Sequence, residues 1–148
     1  MKIFLITSAA ATFDPTTEDA VPQYRTFMEH ILAALRENDG DVYYELEQND
    51  WQLSDQPAEL ALRRNLDGLN ETDVVVAIVV GPPTAEVEFM LGYAVAKEKK
   101  IILAKRVGEE VQAINSGVIG NGQMILVQFD SAETLASQLI ISLNAPED

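Results

Sequence analysis

Asp73-Val74-Val75-Val76-Ala77-Ile78-Val79-Val80, followed by Gly81-Pro82-Pro83-Thr84, is the stretch that decides the fold of this chain. From Val74 to Val80 every residue is apolar, and all but Ala77 are β-branched. A strand with one wet face alternates polar and apolar residues. A continuous run of this kind reads instead as a central parallel strand covered on both faces. Gly81-Pro82-Pro83 breaks the strand, and Thr84 is a helix N-cap residue. Residues 84–97 then read as a helix. In an open α/β sheet, such a strand–loop–helix junction is where ligands bind.

The rest of the chain repeats the alternation. Residues 2–7 form a short apolar strand, and residues 8–22 a long loop rich in Ala, Thr, Asp and Pro. Loops of that length in compact domains are often functional. Residues 23–37 place Phe27, Ile31, Leu32 and Leu35 at a helical period, stopped by Asp39-Gly40. The second strand is expected at 42–46, and a second helix at 57–69 with Leu60, Leu62, Leu66 and Leu69 inward. A fourth strand at 100–104, a short helix at 109–114, a fifth strand at 123–129 and a last helix at 132–143 follow, and 144–148 reads as a frayed tail. Five strands alternating with helices predict one α/β domain over 1–148. The expected architecture is a flavodoxin-like doubly wound sheet of five parallel strands with helices on both faces. Its ligands would lie outside the carboxyl ends of strands one, three and four.

Composition removes several classes of function. Hydrophobic residues make up 47% of the 148, which argues against disorder. With no cysteine and a single histidine, His30, neither a disulfide framework nor a metal site is expected, and no cofactor is implied. The net charge of −14, from 24 acidic and 10 basic residues, repels nucleic acid and anionic membranes. The longest apolar run is too short to span a bilayer. The opening residues Met1-Lys2-Ile3-Phe4-Leu5-Ile6 read as a strand rather than a signal peptide, so a cytoplasmic protein is expected.

The loops after strands one and three should face one crevice. They offer Ser8 with Ala9-Ala10-Ala11-Thr12, and Gly81 with Thr84. Glu86 and Glu88 follow in the first helical turn. There carboxylates complement the helix dipole, and they would repel a phosphate brought to the same place. Tyr43, Tyr44 and Trp51 surround the end of strand two, where core packing outweighs stacking on a ligand.

Thr72-Asp73-Val74-Val75-Val76, Pro83-Thr84, Leu91-Gly92-Tyr93-Ala94, Lys105-Arg106 and Gly120-Asn121 together resemble the nucleoside 2-deoxyribosyltransferase family, especially its 2′-deoxynucleoside 5′-phosphate N-hydrolase branch. Element order agrees through most of the chain, and the specific motifs fall between about Asn65 and Arg106. The resemblance implies a nucleoside-like ligand and a homodimer whose partner completes the site. It also implies a glutamate nucleophile on the sugar C1′ immediately before Leu91-Gly92. That position is Met90, and a thioether cannot form the glycosyl ester that a carboxylate forms. The acid that orients the nucleophile and the ribose aligns with Asn65. The phosphate-binding arginine of the first loop is missing from Thr7-Ser8-Ala9-Ala10-Ala11. A serine that the partner lends to the phosphate falls near Asn115 or Ser116.

Three readings follow. The first is a deoxyribosyltransferase-like protein that binds a nucleoside through Ser8, Asn65, Gly81, Thr84, Met90, Tyr93, Asn115 and Ser116, with the family chemistry weakened or lost. The second is an active N-glycosidase or transferase using Glu86 or Glu88. Glu86 precedes Met90 by one turn on the same face, so it is the better placed of the two. The third is a structural or regulatory module that keeps only the fold. Phe89, Met90 and Tyr93 around Gly92 are expected to form a symmetric dimer contact, with Gly92 allowing close packing.

Overall fold

A computed structural model describes residues 1–8, 21–52 and 56–146. The strands β1 (Lys2–Thr7), β2 (Asp41–Tyr44), β3 (Val74–Val79), β4 (Lys100–Arg106) and β5 (Met124–Phe129) form one sheet in the order β2-β1-β3-β4-β5. All four pairings are parallel. The described residues also form the helices α1 (Pro22–Glu37), α2 (Glu45–Gln48), α3 (Ala58–Asn70), α4 (Ala85–Ala96) and α5 (Ala113–Gly120) between strands, and α6 (Ala132–Asn144) after β5. This is the flavodoxin-like α/β fold, with the strand order reversing between β1 and β3. The 9–12 segment of the first loop and the last two residues of the tail lie outside the described residues.

Alternation along each strand divides the core in two. Ile3 and Leu5 of β1, with Val74, Val76 and Ile78 of β3, face α1 and α6, where Met28, Ile31, Leu32, Leu35, Leu135 and Leu139 are buried. Phe4 and Ile6, with Val75, Ala77 and Val79, face Leu69 of α3 and Val87, Met90, Leu91 and Ala94 of α4. All six residues of β3 are buried, as the unbroken apolar run requires. Each buried valine or isoleucine of β3 stabilises the fold by about 1.5–3 kcal/mol, so the central strand anchors both layers. Gly40 closes the turn from α1 into β2, where a Cβ would stand 2.6 Å from the Leu35 carbonyl oxygen.

Four expectations change. The second strand stops at Tyr44, because residues 45–48 turn into α2 and carry Leu46 onto the core edge. The short helix expected at 109–114 forms at Ala113–Gly120, where Val118 and Ile119 pack on the sheet. In α3, Leu60 and Leu62 are exposed. Leu69 is buried and Leu66 packs on the core as expected, and the polar Asn65 is buried beside them. In α4, Met90 is buried and Gly92 has open space around it, so Met90 is no part of an apolar surface and Gly92 serves no close contact within this chain. Phe89, by contrast, is exposed. Among the described residues no helix is long and apolar enough to cross a membrane.

Candidate active site

Two cavities open at the carboxyl ends of the strands. The first, of about 290 Å³, is lined by Phe4–Thr7 of β1, Tyr44, Glu45 and Leu46 at the end of β2, and Asn49 and Gln52. Ala61 and Asn65 of α3 and Glu86 and Met90 of α4 complete it. The second, of about 640 Å³, is lined by Ser8, Val21, Gln23, Tyr24, Phe27, Ile78, Val80, Pro82, Pro83, Thr84 and Arg106. Pockets for small ligands generally run from about 300 to 1,000 Å³.

Asn65 and Met90 both line the first cavity. Asn65 is 7% exposed, and its Oδ1 is buried without a hydrogen-bond partner. An unpaired buried acceptor of this kind costs about 1–3 kcal/mol, and a ligand donor would remove that penalty. Met90 is 3% exposed and offers the cavity an adaptable apolar wall. Glu86 lies one turn earlier on the same helical face and lines the same cavity. Burial, and then the neighbouring Glu45 carboxylate, hold the Glu86 carboxyl above the usual glutamate range. Glu86 can therefore act as a proton donor closer to neutrality than an ordinary glutamate.

Glu88 lines neither cavity. It is half-buried, and its Oε1 has no partner. Thr84 caps α4, its Oγ1 accepting from the Val87 amide at 3.3 Å, and it lines the second cavity. The cap and the acidic turn thus serve different cavities. Ser8 is buried at the floor of the second. Its Oγ accepts from the Val80 amide and donates to the Val80 carbonyl, both at 3.2 Å. Gly81, at φ +75°, donates its amide to Glu109 Oε2 at 3.1 Å. The same oxygen is 3.5 Å from the buried Lys105 ammonium, which is thereby engaged, while Arg106 is exposed at the second cavity. Tyr93 lies away from both cavities. Its hydroxyl exchanges hydrogen bonds with the Asn70 amide, and the Lys97 ammonium lies over its ring. Asn115 is buried and Ser116 exposed on α5, and neither lines a cavity.

Sequence reasoning missed Glu45 and Tyr24, and read Tyr44 as core packing. Tyr44 OH lies 2.9 Å from Thr7 Oγ1 and 2.7 Å from Tyr24 OH. Tyr44 lines the first cavity and Tyr24 the second, so one short hydrogen bond separates the two. Burial raises the hydroxyls of both tyrosines above the ordinary tyrosine value, which keeps them neutral. Trp51 packs edge-on against Tyr44 and beneath the Arg25 guanidinium, as part of the core. The position of Glu45 at the carboxyl end of a parallel strand was the available sign, since that edge of the sheet carries ligands. Among the described residues, no group of three or more His, Cys, Asp or Glu is arranged to hold a metal ion.

No protein-family model and no curated protein matches the chain by sequence. Among solved structures, it is similar to the CMP N-glycosidase BcmB of Clostridium botulinum, with a TM-score of 0.73 at 18% identity over 96% of this chain and 99% of that one. It is similar to BlsM, with a TM-score of 0.78 at 18% identity over 98% of this chain and 94% of that one. A 2-deoxyribosyltransferase of Bacillus psychrosaccharolyticus gives a TM-score of 0.63 at 15% identity, over 92% of this chain and 90% of that one. The chain therefore shares its whole fold with a CMP N-glycosidase, with BlsM and with a 2-deoxyribosyltransferase.

Proposed function

We propose that this chain is a divergent relative of the nucleoside 2-deoxyribosyltransferases that binds a nucleoside or related N-glycoside in the first cavity, without the family's carboxylate-ester chemistry. The observation that carries this reading is the meeting of Asn65, Met90 and Glu86 in one cavity. The unpartnered Asn65 Oδ1 supplies an acceptor for a ligand hydroxyl. Met90 supplies apolar contact where a glycosyl ester would need a carboxylate. The shared fold with a CMP N-glycosidase and a 2-deoxyribosyltransferase supports the choice of ligand class. We read the protein as cytoplasmic, and as a homodimer in which the exposed Phe89 on α4 joins the contact.

Calorimetric titration with a panel of nucleosides, with base release followed by chromatography, tests this. Saturable binding that Asn65→Leu abolishes, with base release near background, is expected. A second reading has a specific observation in its favour: Glu86 shares the Met90 cavity and holds its proton unusually well. It could protonate a leaving base. Robust base release that Glu86→Gln abolishes and Glu88→Gln leaves intact would replace the first reading with this one.

A further inference from the structure

Glu45 and Glu86 reach the first cavity from different layers of the fold, one from the start of α2 and one from the first turn of α4. Helix-dipole compensation accounts for Glu86 alone, and α2 is a single turn with little dipole to offset. Among the described residues that line this cavity there is no lysine or arginine. Burial, and then the like charge of Glu45, disfavour the ionised form of Glu86. Asn65, more than nine-tenths buried in the same wall, adds an acceptor oxygen with no donor. Among the described residues, this cavity thus gathers two carboxylates and an amide oxygen with no cation to meet them. A primary ammonium carries three N–H donors. A calcium ion would take six to eight oxygens, more than these groups supply.

We propose that the first cavity selects ligands bearing an ammonium group, either an amino-substituted sugar or a protonated ring amine, which Glu45, Glu86 and Asn65 Oδ1 receive together. This rests on the reading of that cavity as the ligand site, and it makes the sugar's charge the determinant of specificity.

Two matched sets of probes test it by calorimetry at neutral pH. The first set is 5′-amino-5′-deoxyadenosine and 3′-amino-3′-deoxyadenosine against adenosine and its 5′-monophosphate. The second set is free of any base: 1,4-dideoxy-1,4-iminoribitol, cationic at neutral pH, against neutral 1,4-anhydroribitol. The cationic member of each set is expected to bind at least tenfold more tightly than its neutral partner. In the Glu45→Gln/Glu86→Gln protein, whose side chains keep their size, that preference should fall to near unity. Equal binding of charged and neutral partners, tightest binding of the monophosphate, or no binding of the iminoribitol overturns the proposal. If nucleosides bind without preference for an amine, the cation selectivity fails while the nucleoside reading stands. If the iminoribitol binds and no nucleoside does, the nucleoside reading fails while the cation selectivity stands.

Discussion

Glu109→Gln isolates the charge of a single buried ion pair. Lys105 sits at the end of β4 with its side chain 6% exposed, and its ammonium lies 3.5 Å from Glu109 Oε2. At that separation, the Coulomb attraction at an effective dielectric of about 20 is roughly 5 kcal/mol before any desolvation is counted. The Glu109 side chain is 26% exposed, so water already screens part of it. Removing one partner of a fully buried pair costs about 3–5 kcal/mol, and partial exposure brings the expectation here to about 2–3 kcal/mol. Glutamine keeps an oxygen that can accept from the Gly81 amide, so the loss measures the charge and not the hydrogen bond. For a chain of this size, each kcal/mol lowers Tm by about 2–4 °C, so Glu109→Gln should melt roughly 4–12 °C below the parent. Calorimetry and urea unfolding provide the two measurements. Replacing both partners by uncharged groups, as in Lys105→Met/Glu109→Gln, should recover most of the loss, because no charge is then left buried alone. A loss under 1 kcal/mol for the single variant, or a double variant no more stable than the single one, would refute the reasoning.

Glu86→Gln should change how stability depends on pH. The folded-state value of Glu86 is raised, so the stability it contributes is full below the unfolded value near 4.3 and is lost as pH rises through the raised value. Denaturant unfolding should therefore show the glutamine variant gaining on the parent from pH 4 towards neutrality, and a constant difference would contradict the shift. Ser131→Ala removes an N-cap whose Oγ accepts from the Thr134 amide at 3.1 Å, within a reciprocal capping box. It should cost about 1 kcal/mol in urea melts. Tyr44→Phe removes the hydroxyl shared by Thr7 and Tyr24, and should destabilise by about 1–2 kcal/mol with the Trp51 packing retained. Unchanged near-ultraviolet circular dichroism, together with a lowered urea midpoint, checks it.

Where the apolar pattern was strong, the sequence was enough. β3, α1 and α6 bury large aliphatic side chains, and periodicity reports such burial directly. α5 escaped because Ala-Ile-Asn-Ser-Gly-Val-Ile-Gly carries two glycines, which lower helix propensity. Packing of Val118 and Ile119 on the sheet outweighs that local preference. In α3, Leu66 and Leu69 lie inward as read, but Leu60 and Leu62 are exposed, and Ala61 and Asn65 face the first cavity instead. At the site, Met90 and Glu86 could be placed on one helical face from their spacing alone. Glu45 could be placed at the carboxyl edge of the sheet, but not beside Glu86, because the two lie 41 residues apart in sequence and share a cavity only through the packing of the fold.

The hydroxyl of Ser8 both accepts from and donates to the Val80 backbone. A side chain is standing in for a strand residue, adding one rung to the β1–β3 ladder just where the strands part. Whatever follows Ser8 in the chain therefore starts from a fixed point. The second cavity, which Ser8 helps to line, is thereby tied to the end of β3.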